Sequence, residues 1–161
     1  MHKYTLAFLI KENKVLLLNR YHKPWMGSWN GVGGKIEENE QIFNSVIREI
    51  KEETTLDVKH SMVKYCGTVT WDEFDANGTG LYLFICNLPD DMDVHTPKVT
   101  DEGILDWKTL DWINDKQNTG IADNIPYFLN HAIKSHEPHE YYCKFEKNQL
   151  IEVIIKNGDK S

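Results

Sequence analysis

One segment, residues 40–54, limits the folds open to this chain, because its apolar side chains recur with the period of an α-helix. They follow an i, i+1, i+4, i+5, i+8 pattern and belong to Ile42, Phe43, Val46, Ile47 and Ile50. Such a stripe is buried only when the helix packs against another apolar surface. Asn39, a residue type favoured at helix N-termini, is expected to cap the helix. The rest of the chain must therefore supply a layer that covers one amphipathic helix.

The remaining apolar segments predict that layer. Strands are expected at residues 4–10, 15–20, 58–69, 81–88, 104–107, 141–145 and 150–155. The first two should form a hairpin, and the last two a closing hairpin. Residues 121–136 carry apolar side chains at helical spacing and predict a second helix. Several strands with two well-separated helices predict an α/β fold with a mixed sheet, built as a single domain over residues 1–161.

Three glutamates share one face of the first predicted helix. Glu49, Glu52 and Glu53 stand at i, i+3, i+4 spacing, which places their carboxylates together beside the apolar stripe. Like charges so close destabilise a helix unless a cation offsets them, and hard cations such as Mg²⁺ prefer carboxylate oxygens. The alternative is a solvated acidic face on which Arg48 and Lys51 form ion pairs.

A glycine-rich segment, Gly31-Val32-Gly33-Gly34-Lys35, precedes this helix. Glycine lets the backbone approach a ligand closely, so that carbonyl groups can bind a cation and N–H groups can face a phosphate. Lys35 adds a positive charge suited to phosphate. A simple tight turn is the alternative, and the spacing of the glycines fits neither a P-loop nor a dinucleotide-binding fingerprint.

The loop and the helix together match one long pattern. After Gly34 come five residues, Glu40, seven residues, Arg48-Glu49-Ile50-Lys51-Glu52-Glu53 and then Leu56. This run resembles the Nudix box, Gly-x₅-Glu-x₇-Arg-Glu-U-x-Glu-Glu-x-Gly-U, in which U is aliphatic. Thr55 departs from it, because it stands where the box has its second glycine. Threonine is strained by about 1–2 kcal/mol in the left-handed cap that glycine would form, so we expect a different helix end, without loss of activity.

The resemblance implies a Nudix-type α/β/α sandwich that hydrolyses a nucleoside diphosphate linked to another moiety, with Mg²⁺ as cofactor and Mn²⁺ as a substitute. Carried over by position, the metal ligands are the Gly33 carbonyl, Glu49, Glu52 and Glu53. The resemblance also implies that Arg48 orients these carboxylates and that Glu40 supports them. Either Glu49 or Glu53 would then remove a proton from the attacking water. The general chemistry agrees, since a bound cation acidifies water and neutralises charge on phosphate oxygens.

Segments outside the box are similar to the MutT-type branch of the family. They are residues 29–35, Thr100-Asp101-Glu102 ahead of Trp107, and Lys144-Phe145 with Leu150-Ile151. By this similarity, Glu102 is a further metal-binding carboxylate and an alternative catalytic base.

The same similarity implies a set of substrate-binding residues: Arg20, Asn30, Gly33, Gly34, Lys35, Asp123 and Asn124. Asn30 and the pair Asp123-Asn124 would read the purine base, because an amide both donates and accepts hydrogen bonds. The pair also suits a helix N-terminus, which is a structural alternative. Trp25 or Met26 is a candidate to stack on the base, and a surface cover for the core is the alternative.

The expected reaction converts a nucleoside triphosphate, with 8-oxo-dGTP as the named candidate, to the monophosphate and pyrophosphate. The box is equally compatible with another dNTP, a dinucleoside polyphosphate or ADP-ribose, because only the flanking pocket differs. A nucleotide sensor without turnover is a third hypothesis, which the complete set of box carboxylates disfavours.

Composition excludes several partners. The chain has 25 acidic and 18 basic residues and a formal net charge of −7, which argues against nucleic acid and against an anionic membrane. No apolar run approaches the ~18 residues of a membrane span, and residues 6–10 are too few for a signal peptide. We therefore expect a cytoplasmic protein, either a monomer or a homodimer. Its three cysteines show no metal-ligand spacing, and Cys86 is expected to be a buried thiol.

Overall fold

A mixed β-sheet with helices on both faces forms the frame of this protein. The structure, a computed structural model, describes residues 2–23, 26–72 and 80–158. The strands are β1 Thr5–Lys11, β2 Lys14–Arg20, β3 Trp29–Asn30, β4 Val63–Trp71, β5 Gly80–Asn87, β6 Lys98–Val99, β7 Gly103–Thr109, β8 His139–Glu146 and β9 Gln149–Asn157. The helices are α1 Ile42–Thr54, α2 Leu110–Asn114 and α3 Ile125–Lys134, with a 3₁₀ turn at His60–Met62.

The strands lie in the order β6-β7-β2-β1-β5-β4-β8-β9, and β3 pairs with β2 beside this path. β1 runs parallel to β5 and β4 parallel to β8, whereas the other neighbouring strands are antiparallel. The predicted hairpins between the first two strands and between the last two are both present. The prediction of a mixed sheet is therefore confirmed.

Two apolar layers cover the two faces of the sheet. Phe8 and Ile10 of β1 belong to the layer that contains α2 and α3, whereas Ala7 and Leu9 belong to the layer that contains α1. Successive side chains of a strand point to opposite faces, so this central strand feeds both layers in turn. The helices thus sandwich the sheet, and the predicted α/β/α architecture is confirmed.

Helix α1 begins two residues later than predicted, and Asn39 is not its cap. Gln41 occupies the N-cap position without a side-chain hydrogen bond. Asn39 instead has a positive φ of 64° in a turn where the Glu40 N–H donates to the Glu37 carbonyl at 3.1 Å. Asparagine tolerates this left-handed conformation, which is why its residue type suits both positions. Glu40 therefore precedes the helix instead of forming its first turn.

Helix α3 is shorter than the predicted span of 121–136. Residue Ile121 forms a bridge with Trp29, and the Ala122 N–H donates to the Trp29 carbonyl at 3.0 Å, so this segment extends the sheet region. The helix starts at Ile125 with Pro126 in its first turn, where a missing N–H costs nothing. Among the described residues, no helix is long and apolar enough to cross a membrane.

The sequence did not predict the shortest strands and the shortest helix. β3 and β6 have two residues each and α2 has five, too few to show a period of two or of 3.6. β4 begins at Val63, after the 3₁₀ turn, although a strand was predicted from residue 58. The three cysteines are free and buried, which confirms the prediction for Cys86.

Candidate active site

A cavity of about 1020 Å³ opens at one end of the sheet. Its walls come from residues at or beside the points where β1, β5 and β7 begin and where β2, β4 and β8 end. These six strand ends meet at one edge, because β1 is parallel to β5 and antiparallel to β2, β2 is antiparallel to β7, and β4 is antiparallel to β5 and parallel to β8. The cavity is large enough for a nucleotide-sized ligand.

The two sides of the cavity differ in chemistry. The side near β2, β7 and α1 carries the charged residues Arg20, Lys23, Lys35, Glu49, Glu52, Glu53, Asp101 and Glu102. The side formed by β4, β5 and β8 carries Val69, Trp71, Leu81 and Phe145. The strand order keeps the two sides apart, since β1 lies between β2 and β5. A ligand that fills the cavity would therefore meet charge at one end and apolar surface at the other.

Arg48 ties the carboxylates of α1 to the segment before the helix. Its Nε donates to Glu40 Oε2 at 2.8 Å and its Nη2 donates to Glu40 Oε1 at 2.9 Å. Its Nη1 donates to Glu49 at 3.0 Å and to Glu52 at 3.3 Å, while Nη2 also reaches the Lys35 carbonyl at 3.0 Å. Hydrogen bonds from Arg48 lower the pKa of Glu40 to about 2, and those same bonds raise the pKa of Arg48. This fork fixes the Glu49 side chain relative to the loop.

The glycine loop lies between β1 and the carboxylates. The Thr5 N–H donates to the Gly34 carbonyl at 2.9 Å, which docks the loop on the strand. Gly33 has a φ of 152°, and a Cβ there would lie 2.1 Å from the Thr5 carbonyl oxygen. A Cβ at Gly34 would lie 2.5 Å from the carboxyl carbon of Glu49. Only glycine permits this approach, so the backbone at these positions can reach the acidic cluster.

Glu53 is a buried carboxylate at the centre of the cluster, only 7% exposed. The Gly33 N–H donates to its Oε2 at 3.3 Å. Burial and the negative charges of Glu49 and Glu102 together raise the pKa of Glu53 to about 8, against the opposing effects of the Gly33 hydrogen bond and of Arg20. Burial also raises the pKa of Glu49, although Arg48 opposes the shift. Ionising Glu49 and Glu53 is therefore costly unless a cation lies beside them.

The donor set suits a hard divalent cation. Within the described residues, no three His, Cys, Asp or Glu side chains converge closely enough to hold a metal ion. Arg48 donates hydrogen bonds to oxygens of both Glu49 and Glu52. Glu102 nevertheless lines the same cavity as the carboxylates of α1. The backbone of the glycine loop lies against Glu49 and Glu53 there. Mg²⁺ prefers such oxygen ligands, and its charge would offset the cost of burying Glu53. The residues present therefore fit the cofactor that the sequence predicts.

The predicted substrate-binding residues mostly line the cavity. They are Arg20, Asn30, Gly33, Gly34, Lys35 and Asn124. The Asn124 amide also donates to Cys143 Sγ at 3.7 Å, and the Asn30 Oδ1 accepts from the Gly31 N–H at 2.8 Å. Asp123 is exposed and does not line the cavity, because the turn before α3 places only the second residue of the pair there. The structure thus separates Asp123 from Asn124.

Several residues that line the cavity were not predicted as site residues, and Lys23, Trp71 and Phe145 are among them. Lys23 adds a third cation near Arg20, and its closeness in sequence to Arg20 was the only available signal. No motif in the sequence pointed to Trp71, and Phe145 was only part of a similar segment, yet both line the cavity. Met26, a candidate for stacking, is 58% exposed and lies outside the cavity lining. Trp25, the other candidate, lies outside the described residues.

Curated relatives match most of the chain. An uncharacterized Nudix hydrolase, YvcI, from Bacillus subtilis (strain 168) is 29% identical over 151 residues, which is 91% of this chain and 90% of the relative. The oxidized purine nucleoside triphosphate hydrolase of Mus musculus is 31% identical over 119 residues, covering 68% of this chain and 67% of that protein.

The solved structure of the mutator MutT protein from Bacillus halodurans has a similar fold. It superposes with a TM-score of 0.74 at 24% identity, and the match covers 96% of this chain and 97% of that chain. The family model described as the NUDIX domain matches residues 1–128, which include the glycine loop, α1 and the residues around Asn124. The chain is therefore a member of the Nudix hydrolase family.

Proposed function

We propose that this enzyme hydrolyses a nucleoside triphosphate to the nucleoside monophosphate and pyrophosphate, and that it uses Mg²⁺. The observation that carries the proposal is the division of the cavity into a charged side and an apolar side with an aromatic wall. A nucleoside triphosphate has the same division, because its phosphates are polar and its base is flat and largely apolar. Nudix hydrolases generally use divalent metal ions, and the acidic cluster supplies oxygen ligands for one.

On the charged side of the cavity, which would bind the phosphates, cations and carboxylates have different roles in the reaction. Arg20, Lys23 and Lys35 line this side and would bind phosphate oxygens. When bound, Mg²⁺ would acidify water and offset the charge that develops on the phosphate oxygens. Glu53, the buried carboxylate that accepts a hydrogen bond from the Gly33 N–H of the glycine loop, is the proton acceptor that we favour. The water oxygen bonds to phosphorus, an anhydride P–O bond breaks, pyrophosphate leaves, and the water proton passes to the Glu53 carboxylate.

Glu49 and Arg48 would prepare this step without accepting the proton. Arg48 donates to Glu49 at 3.0 Å and forms two hydrogen bonds with Glu40, so the Glu49 side chain is held from outside the cluster. The backbone at Gly34 lies against the Glu49 carboxyl group on its other side. A group held in this way loses little entropy when ligand binds, which favours a defined geometry for catalysis.

Oxidised purine triphosphates are the substrate class that we favour. The Mus musculus relative is named for hydrolysis of oxidized purine nucleoside triphosphates. Asn30 and Asn124 line the cavity and can each donate and accept a hydrogen bond at a base edge. On the apolar side of the cavity, the aromatic rings of Trp71 and Phe145 supply flat surface against which a base could stack. These groups would distinguish bases by leaving an unmatched polar atom unpaired.

A substrate panel tests the proposal. Purified protein with Mg²⁺ is given 8-oxo-dGTP, dGTP, dATP and ADP-ribose separately, and products are identified by anion-exchange chromatography. We expect monophosphate and pyrophosphate from the triphosphates, with 8-oxo-dGTP cleaved fastest. Cleavage of ADP-ribose alone would contradict the triphosphate assignment, and equal rates on all triphosphates would contradict base reading. No turnover of any substrate would favour a sensor.

Two matched variants test base reading in the same assay. Asn124→Ala removes an amide from the cavity and should reduce the ratio of kcat/KM for 8-oxo-dGTP over dGTP. Asn87→Ala removes an exposed amide at the opposite end of β5 and should leave that ratio unchanged. An unchanged ratio in Asn124→Ala would remove this residue from the proposal.

A further inference from the structure

The last strand of the sheet presents a long edge. β9 covers nine residues, whereas β6 at the opposite edge covers two. In the part of the chain that the structure describes, β8 is the only strand paired with β9. Ile151, Ile154 and Ile155 of β9 are 51%, 39% and 42% exposed. A long edge strand with exposed apolar side chains and no proline or glycine is a template for pairing with another strand.

The pairing of β9 with β8 determines which of its side chains share a face. Ile155 stands opposite Tyr141, which is buried in the layer that contains α3. Glu152, Ile154 and Lys156 alternate with Ile155 and lie on the other face of the sheet. That face of β9 therefore carries an isoleucine midway between an acid and a base.

We propose that β9 pairs antiparallel with β9 of a second copy of this chain, around a two-fold axis at Ile154. In this register Ile154 meets its own copy, and Glu152 stands opposite Lys156 of the second copy on each side of the axis. On the other face of the sheet, Val153 stands opposite Ile155. Cross-strand pairs of opposite charge and pairs of β-branched residues both stabilise such a ladder.

Charge complementarity selects this register and this partner. A two-fold axis one residue earlier, at Val153, would place Glu152 opposite Ile154 and Lys156 opposite Leu150. An axis at Glu152 would place two glutamates face to face, and like charges directly opposite destabilise the pair. The axis at Ile154 pairs both charged side chains of the strand at once. The β9 edge is therefore complementary to itself.

The sheet geometry also closes the assembly at two copies. An isologous contact around a two-fold axis uses the same edge of both copies and leaves no second β9 edge to extend it. The outer edge that remains on each copy is β6, which is two residues long and offers little backbone for further pairing. The product is a dimer with one continuous sheet.

Charge reversal tests the proposed pairing. The association constant of the full chain is measured by sedimentation over a range of protein concentrations. Glu152→Lys places lysine opposite lysine at both symmetric positions, and Lys156→Glu places glutamate opposite glutamate. Each single variant should raise the dimer Kd at least about tenfold, since like charges then face each other twice. The double variant Glu152→Lys with Lys156→Glu restores both pairs and should return the Kd to within about threefold of the original.

A disruptive variant and a matched control complete the experiment. Ile154→Lys places two lysines at the two-fold axis and should make the chain monomeric. Val99→Lys makes the same kind of change at an exposed position on the other edge strand and should leave the dimer intact. Circular dichroism verifies that each variant is folded. A monomeric wild-type chain, a dimer that both single reversals leave unchanged, or a double variant no better than the singles would overturn the proposal.

Discussion

Thr55 ends helix α1 in the left-handed conformation, with φ 68°, where the family pattern has glycine. The expectation of a different helix end was therefore wrong. Neighbouring hydrogen bonds offset the strain: the Thr55 N–H donates to the Lys51 carbonyl at 2.9 Å, and the Thr55 hydroxyl donates to the Thr54 carbonyl at 2.5 Å. The Lys51 amine donates to the Thr55 carbonyl at 3.3 Å. The helix end thus tolerates a residue that is intrinsically poor there.

Replacing this residue by glycine should relieve the strain. Thr55→Gly is expected to raise the free energy of unfolding by about 1 kcal/mol, since the left-handed conformation costs an L-residue roughly 1–2 kcal/mol. Urea denaturation measures the change. Thr55→Ala keeps the strain and removes the hydroxyl, so it should be no more stable than the original chain. If Thr55→Gly were less stable than the original chain, the hydrogen bond of the Thr55 hydroxyl would outweigh the strain.

Glu53→Gln tests the buried carboxylate directly. The substitution keeps the shape and removes the proton-accepting charge, so kcat should fall by about 10²–10⁴-fold if Glu53 is the base. Steady-state kinetics on the best substrate measures it, with Glu12→Gln as the control in an exposed turn at the far end of β1. Full turnover in Glu53→Gln would show that another group takes the proton. The variant should also unfold at a higher temperature, because glutamine avoids the free-energy cost of burying an ionisable carboxyl group beside Glu49.

At the scale of elements, Lys64 of β4 caps the end of α3. Its amine donates to the carbonyls of Ala132, Ile133 and Ser135 at 3.0, 3.3 and 3.2 Å. These carbonyls belong to the last turn of the helix and its C-cap, where the helix dipole also favours a cation. One side chain thereby joins the sheet to the helix that carries Asn124 at its start.

Removing the Lys64 amine should lower the free energy of unfolding without changing the catalytic rate. Lys64→Met keeps the apolar stem and leaves three half-buried carbonyls without their charged donor, which should cost about 1–3 kcal/mol. Lys14→Met is the matched control at an exposed position on β2, with an expected change below about 0.5 kcal/mol. Chemical denaturation compares the two. Equal stability of both variants would mean that water replaces the Lys64 amine at no cost.

The ion pair between Glu40 and Arg48 joins the turn before α1 to the helix and should make stability depend on pH. The pKa of Glu40 is lowered to about 2 in the folded chain, so its contribution is complete above the ordinary glutamate pKa and is lost as the pH falls toward 2. Glu40→Gln should therefore be less stable than the original chain by about 2 kcal/mol at neutral pH, and the gap should close between about pH 5 and pH 2.

Urea unfolding at a series of pH values measures that gap. Glu38→Gln, at an exposed position two residues earlier, is the control for removing an acidic charge from the same segment. A gap that stays constant with pH would show that the Glu40 charge does not stabilise the folded chain.

At the scale of the whole molecule, the acidic cluster links cation binding to stability. Burial, together with the nearby negative charges, Glu102 among them, makes Glu49 and Glu53 costly to ionise in the folded chain. A cation that binds only the folded state at 100 times its Kd adds about 2.7 kcal/mol, which for a chain of this size raises Tm by about 5–10 °C. Mg²⁺ should produce this shift in a thermal melt, EDTA should reverse it, and NaCl at matched ionic strength should not reproduce it. The same shift in Glu53→Gln would place the cation elsewhere.

The sequence predicted those parts of the fold and site that depend on near neighbours. Helix α1, the seven longer strands and both hairpins follow from periodicity and turns, and the grouping of Glu49, Glu52 and Glu53 follows from helical spacing. Boundaries were less accurate because several residue types suit more than one position, as Asn39 shows by forming a turn instead of a cap. The preference of a residue type for a cap or a turn involves only a few neighbouring residues and a small free energy, so contacts elsewhere in the fold can override it.

The tertiary structure decided what depends on contacts between distant segments. The strand order brings Trp71, Leu81 and Phe145 to the same cavity as Glu53, although no local pattern connects them. Burial distinguishes Glu53, at 7% exposed, from Glu52, whose side chain is 56% exposed, although both belong to one acidic run. Burial and strand order depend on the packing of the whole sheet, because they are set by the total free energy of contacts between distant segments. Helical spacing, in contrast, is a property of the local backbone.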